Sequence, residues 1–238
     1  MKEKVKEVFN QLSQVYATTV DSQSLFNKEY ERPAMLRELP IDLQNKKVLD
    51  AGCAAGWYSY SLLEKGANVT AADVSEEMVT AAKERLKDRV EVFCIDLEAE
   101  LPFKDNSFDI ILCSLTLHYI KDWNTTFHEF KRVLKPDGCL LYSVHHPFSD
   151  TTLLSEEANY YSTEFIIKKW NKEGKTYEVP CYHRPLQSII NDTSKYFTIE
   201  KLLEPIPTQE FKVQQSEKYE QVLHKPQFIL VKCINRKL

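Results

Sequence analysis

The residues best suited to chemistry begin at Asp50-Ala51-Gly52-Cys53-Ala54-Ala55-Gly56, directly after an apolar run. In an open parallel sheet, ligands bind beyond the C-terminal ends of strands, where loop backbone comes close and helix N-termini point their N–H groups outward. The small residues Gly52, Ala54 and Gly56 leave room for that approach. A dinucleotide fingerprint needs G-x-G-x-x-G, and a phosphate loop needs G-x-x-x-x-G-K followed by Ser or Thr. Neither is present, because Trp57 follows Gly56 and no lysine comes next. Asp73 ends a second apolar run about twenty residues on, where a carboxylate can accept both hydroxyls of a ribose. Asp96 ends a third, where it can accept a hydrogen bond from an exocyclic amine. The set suits an adenosine without a phosphate, since buried acids beside a phosphate would repel it. His118 follows a fourth run and His145-His146 a fifth, and these are the candidate proton acceptors. His146 is preferred, because Pro147 ends the strand there and exposes it.

The elements that must position these groups alternate. KKVLDAG, NVTAADV, VEVFCID, FDIILCS and CLLYSV read as short strands, and helical periods separate them. One helix runs through about Glu64 and is closed by Gly66 as a C-terminal cap. The next, SEEMVTAAKERL, has Ser75 as N-cap and Met78, Ala82 and Leu86 on one face. A third carries Trp123, Phe127, Phe130 and Leu134 at helical spacing and ends in the turn residues KPDG. Strands alternating with helices imply βαβ units, and their nearly continuous apolar character implies a parallel sheet covered on both faces. The fold class expected is α/β, a three-layer, doubly wound, mostly parallel sheet.

Before the first strand, Val5, Phe9, Leu12 and Tyr16 mark a helix, and a second covers about Leu25 to Leu39, where Pro33 must start, break or kink it. After His146 the rhythm lapses for about forty residues, a length at which loops carry their own structure and often function. It resumes with a helix near Leu186 to Phe197, an extended segment ending in EPIPT, a short helix around Ser216 to Leu223, and a last strand, PQFILVKCI. The expected organisation is a helical cap at 1–45, a ligand-binding core at 46–148, an acceptor-binding insertion or lid at 149–185, and completion of the same sheet at 186–238.

The chain has 238 residues, with 31 Lys plus Arg against 35 Asp plus Glu and 43% hydrophobic residues, which describes a globular protein able to bury a core without staples. The interleaved charges offer no footprint for duplex nucleic acid or an anionic membrane, so neither partner is expected. No run of about 18 apolar residues exists and the N-terminus is amphipathic, so a cytoplasmic location is expected. Cys53, Cys94, Cys113, Cys139, Cys181 and Cys233 lack CxxC spacing, and four lie in apparent strands; reduced, buried thiols are expected. No histidines show zinc-ligand spacing, so no metal is expected.

VLDAGCAAG resembles motif I of the class I S-adenosylmethionine-dependent methyltransferases, commonly written D-x-G-x-G-x-G, and Asp73 matches their ribose-binding acid. The resemblance continues through Asp96-Leu97, LPFKDNSFDIILCSLTLHYI and RVLKPDGCLLYSV, typical of the subgroup that includes ubiquinone and menaquinone biosynthesis methyltransferases. YERPAMLRELP looks like the approach to motif I in small-molecule members. Ala54 departs from the pattern, adding a methyl group where methionine should pass.

The resemblance implies a seven-stranded Rossmann-like sheet and S-adenosylmethionine as methyl donor, leaving S-adenosylhomocysteine. It implies that Asp50 and Gly52 contact the methionine amino group, directly or through water, and that Gly56 lets the following helix start close by. Asp73 would hold the ribose, Val74 and Met78 would border the adenine, and Asp96 with Leu97 would meet its N6 edge. Ser114 and Leu115 would line the methionine arm, the Ser114 carbonyl accepting from the ammonium. Tyr16, Tyr30 and Tyr58 either close over the sulfonium or pack in the core, with packing favoured for Tyr30. Met78 is open to the same core reading. The function expected is methyl transfer to the oxygen, nitrogen or carbon of a small organic metabolite, by a monomer or homodimer. The rival readings are an RNA or protein methyltransferase, or a donor-binding module that has lost transfer. SLTLHY stands where an amino-directed nucleic-acid enzyme would carry an Asn/Asp-Pro-Pro-aromatic clamp.

Overall fold

The computed structural model describes residues 2–236, and of Ser22 only the backbone. Residues 1, 237 and 238, at the outer edges of the expected cap and C-terminal segments, lie outside them. The chain opens with α1 (Lys2–Val15), α2 (Asp21–Gln23) and α3 (Arg32–Glu38). It then alternates through β1 (Lys47–Ala51), α4 (Trp57–Glu64), β2 (Asn68–Asp73), α5 (Glu76–Leu86), β3 (Glu91–Cys94), β4 (Phe108–Ser114), α6 (Asn124–Val133) and β5 (Leu134–His145). α7 (Pro147–Asp150) leads into β6 (Glu164–Lys172) and β7 (Lys175–His183). α8 (Leu186–Ser194), β8 (Thr198–Leu203), α9 (Gln209–Gln214), α10 (Ser216–His224) and β9 (Phe228–Ile234) complete it.

Seven strands form one sheet in the order β3-β2-β1-β4-β5-β9-β8, and β9 runs antiparallel to both of its neighbours. The central strands β1, β4, β5 and β9 are buried on both faces, so they are apolar over nearly continuous runs and not only at alternate positions. Val48, Ile110, Leu112, Leu141 and Leu230 face one core with Met35, Leu62, Leu86 and Phe211. The intervening Leu49, Ile111, Cys113, Leu140 and Val231 face the other, with Trp123, Phe127, Phe130 and Ile189. A two-residue period thus splits the strands between two helical layers.

The capping signals hold: Ser75 Oγ accepts from Met78 N at 3.1 Å, and Gly66 follows α4 with φ +84°. Four expectations need correcting. KPDG does not separate α6 from the strand; β5 begins at Leu134, and Asp137 (φ +59°) lies within an irregularity of its pairing with β4. The expected helix over 25–39 forms from Leu25, but not as a regular α-helix: a π-helical turn, Asn27–Glu31, interrupts it between Phe26 and α3. Pro33, in the first turn of α3, cannot donate back to the chain, and the Glu29 carbonyl accepts from Thr208 N at 2.8 Å. α9 went unforeseen, although Thr208 caps it by accepting from Phe211 N. Cys94 is exposed, while the other five cysteines are buried thiols.

The segment over 149–185 folds mainly as an antiparallel hairpin, closed by Glu173 and Gly174 at φ +51° and +76°. Two consecutive left-handed residues make the tight turn whose twist suits a hairpin. The hairpin is separate from the main sheet, and Tyr177 and Val179 pack with Leu12 and Val15 of α1 and with Met78 and Ala81 of α5.

Phe127 is fully buried, with ring centroids of Trp123, Tyr142 and Phe197 within 6.0 Å. Phe127→Ala should lower the unfolding free energy by about 3–5 kcal/mol. Urea denaturation reads this directly, and a loss below about 1 kcal/mol would show that this layer collapses around the void.

Candidate active site

The sheet reverses its winding between β1 and β4, and at such a switch point the loops leaving adjacent strands diverge to open a crevice. Register fixes what stands there. Ala51 pairs with Ala72, Asp73 with Cys94, Ser114 with Ser143, and His145 with Phe228 at the start of antiparallel β9. Asp96, Asp73, Gly52, Ser114 and His145 therefore form a row along one edge, and all five line one cavity of about 590 Å³.

The loop after β1 passes through left-handed backbone three times, at Gly52 (φ +83°), Ala54 (φ +46°) and Gly56 (φ +79°). A Cβ on Gly52 would lie 2.1 Å from Thr116 Oγ1, so the turn demands glycine there. Gly56 serves packing: its Cβ would press on Ala82 and Leu86 of α5. Ala54 tolerates the left-handed conformation because its N–H donates to Asp73 Oδ2 at 2.8 Å. Asp73 Oδ1 accepts from Ser75 N at 2.9 Å, so two backbone donors fix this carboxylate at the cavity wall.

Asp50 stands behind the loop. It is 1% exposed, its Oδ2 accepts from Ser59 Oγ at 2.6 Å, and it ties the end of β1 to α4 without lining the cavity. The contact expected of it, with an amino group directly or through water, starts from a carboxyl set behind the cavity wall. Met78 likewise lies in the core under Ala54 and Ala55 and does not border the cavity. Val74, Leu97, Leu115 and Tyr16 do line it, as does Tyr58. Tyr30 packs against Phe228 and Phe211. Asp96 is engaged: its Oδ1 accepts from Glu98 N at 2.9 Å, and Oδ2 forms an ion pair with Lys2 of α1. The Ser114 carbonyl accepts from Thr116 Oγ1 at 2.8 Å.

His146 is displaced from the role expected of it. Its Nε2 pairs with Glu204 Oε1 at 2.7 Å, its Nδ1 accepts from Phe148 N at 3.1 Å as the cap of α7, and it does not line the cavity. Adjacent residues of a strand point to opposite faces, so with His146 turned away His145 faces the cavity. His145 stacks on buried His118, with ring centroids 3.8 Å apart. Among the described residues, neither ring nitrogen of His118, nor Nδ1 of His145, meets a hydrogen-bond partner. Burial pushes both imidazoles well below the usual histidine range, and the Lys168 ammonium adds to this.

Two residues of the cap escaped sequence reasoning. Arg32 is buried at the cavity wall with its guanidinium 4.0 Å over the Trp57 ring; Nη2 donates to Asp21 Oδ1 at 2.5 Å, and Nη1 has no partner. Glu31, fully buried, accepts from Tyr58 Oη and Ser114 Oγ at 2.8 Å and from Ser143 Oγ at 2.6 Å, which binds the cap to the ends of β4 and β5. Burial pushes its carboxyl above the ordinary value. Both lie in YERP, where no spacing links them to the strand ends.

The site fits a nucleoside with an amino-acid tail. A fixed carboxylate, Asp73, a backbone cradle at Gly52 and the guanidinium of Arg32 line the one cavity. A family model described as Methyltransferase domain matches residues 49–142. An uncharacterised protein of Haemophilus influenzae is 30% identical over 229 residues, covering 87% of each chain. A demethylmenaquinone methyltransferase of Clavibacter sepedonicus is 35% identical over 136 residues, 56% of this chain, which thus spans about half (55%) of that relative's length. The crystal structure of an S-adenosylmethionine dependent methyltransferase from Mesorhizobium loti superposes with a TM-score of 0.69 at 26% identity, covering 86% of this chain and 97% of that one.

Burial raises the Asp50 carboxyl from its ordinary 3.8 to about 7, and the neighbouring Asp73 charge adds to this. A carboxyl that holds its proton more tightly when folded gives stability that is full below its ordinary value and is lost as pH climbs toward the folded value. Asp50→Asn should therefore flatten the fall in unfolding free energy between about pH 4 and pH 8 by roughly 2–4 kcal/mol. Urea unfolding across that range is the measurement, and parallel curves for variant and parent would contradict the assignment.

Proposed function

The chain belongs to the class I S-adenosylmethionine-dependent methyltransferases, and from that premise we propose that it methylates a small organic metabolite held between the ends of β4 and β5 and the β6–β7 hairpin. The observation that carries this reading is the row of strand ends. It offers a ribose anchor at Asp73, a close backbone approach at Gly52, and an imidazole at His145, in the order needed to place donor and acceptor side by side.

Bound here, S-adenosylmethionine supplies an electrophilic methyl group on a sulfonium. Asp73 accepts from the ribose hydroxyls while its backbone donors hold it in place. The guanidinium of Arg32 at the cavity wall attracts the tail carboxylate, and Val74 and Leu97 border the base. Asp96 reaches an exocyclic amine by giving up Lys2. Tyr16 and Tyr58 close the methionine side, where aromatic faces favour a cation. Alignment and water exclusion do most of the work, since holding two reactants in attack geometry removes several kcal/mol of barrier. Where the acceptor must shed a proton, neutral His145 takes it, with His118 as the stacked support.

The hairpin covers the acceptor. Trp170 on β6 lines the cavity and packs edge-on against Phe9 of α1, so the segment over 149–185 forms one wall of the site.

Asp73→Ala should weaken S-adenosylhomocysteine binding by about 10- to 100-fold, the loss of charge-assisted hydrogen bonds. Calorimetry reads the affinity, and equal affinity for variant and parent defeats the ribose assignment. His145→Ala should lower turnover by about 100-fold or more while donor affinity stays within a factor of about two; unchanged turnover removes it as the base.

A further inference from the structure

The cavity is not electrostatically uniform. Its acids, Asp21, Asp73, Asp96 and Glu98, lie on the N-terminal cap and at the ends of β2 and β3. The hairpin and α10 contribute no carboxylate to the lining but do contribute lysines. Lys168, Trp170 and Lys172 alternate along β6, and a two-residue period puts them on one face, opposite inward-packed Val179 and Tyr177 of β7.

The lysines differ in how they are neutralised. Lys168 Nζ meets buried Asp150 Oδ1 at 2.7 Å, a complete pair. Lys172 is half-buried and, among the described residues, meets no carboxylate. Lys218 of α10 also lines the cavity; its ammonium lies 5.3 Å from the Phe26 ring centroid and, among the described residues, meets no carboxylate. Burial and the like charge of Lys218 push the Lys172 ammonium below its ordinary value. Lys172 and Lys218, on one cavity and each without a counter-ion among the described residues, repel one another, and Lys172 loses hydration with no carboxylate beside it. Arg32, the cation suited to the donor's carboxylate, belongs to the cap and has its own partners, Asp21 and Trp57.

We propose that Lys172 and Lys218 form an anion subsite for the methyl acceptor, so that the substrate class is a small apolar or aromatic molecule bearing a carboxylate or phosphate. The inference rests on the methyltransferase reading above and adds the charge of the acceptor to it. The apolar body lies against Trp170 and Phe228, the anionic group reaches the two ammoniums, and the methylated atom faces His145. Phe228 stacks with His145 at 6.2 Å between centroids, which places an apolar wall beside that base.

The test is calorimetric titration of the full chain, saturated with S-adenosylhomocysteine, with benzoate, phenyl phosphate and neutral benzamide. At least one anion should bind about tenfold or more tightly than benzamide, and the tighter of the two identifies the group as carboxylate or phosphate. Lys172→Gln and Lys218→Gln should each weaken that anion about tenfold, Lys172→Arg should restore most of it, and S-adenosylhomocysteine affinity should stay within about twofold throughout. Lys218 is exposed on its helix, so the second variant reads the subsite without straining the fold. Benzamide binding as well as the anions, or anion affinity indifferent to both lysines, overturns the proposal. So does an anion that competes with S-adenosylhomocysteine, which would place it on Arg32. Failure of S-adenosylhomocysteine to bind at all would refute the donor reading instead, and the same anion series on the free protein would still decide the lysine subsite.

Discussion

A loop that must bring its backbone against a nucleoside has to turn sharply, and this one does so by passing through left-handed conformations at Gly52, Ala54 and Gly56. Such a path is unfavourable by itself, most of all at Ala54, where a Cβ is present. It persists because carboxylates on both sides hold it. Asp73 takes the Ala54 N–H from the end of β2, and Asp50 takes the Ser59 hydroxyl from α4. The residues that shape the cradle are therefore the ones that would face or support the donor. The departure from a glycine at position 54 is accommodated by the same hydrogen bond that steadies Asp73.

The second organising contact is Glu31. A buried carboxyl that accepts from three hydroxyls, on α4, β4 and β5, is satisfied only when cap and sheet are in register. The π-helical turn that ends at Glu31, and Pro33 after it, give the cap the irregular path needed to bring Glu31 to the strand ends and Arg32 to the cavity wall. π-helical turns recur at functional sites because they aim side chains that a regular helix would misdirect. The hairpin closes the other side through α1, so that cap, core and insertion share one cavity.

Charge is distributed unevenly along that cavity. Carboxylates gather at the ends of β2 and β3, the imidazole of His145 at the end of β5, and lysines that meet no carboxylate among the described residues on the hairpin and α10. The pairs that are complete, Lys168 with Asp150 and His146 with Glu204, are structural, and their completeness sets apart the groups left open.

Local pattern determined the alternating elements, the caps at Ser75 and Gly66, and the placement of Asp73 and Asp96 at strand ends, because β and α periods and strand termini are written in consecutive residues. The motif after the first strand was legible for the same reason, and with it the cofactor and the family. Whether Asp50 or Met78 touches the cavity was not legible, since burial depends on what packs above the loop. Neither was the choice between His145 and His146. Adjacent strand residues face opposite ways, and only the pairing of β5 with β9, together with Glu204 arriving from β8's far end, decides which one turns inward. Arg32, Lys172 and Lys218 belong to segments separated in the chain by as much as 186 positions (32 to 218), and their meeting at one cavity is a property of tertiary contact alone.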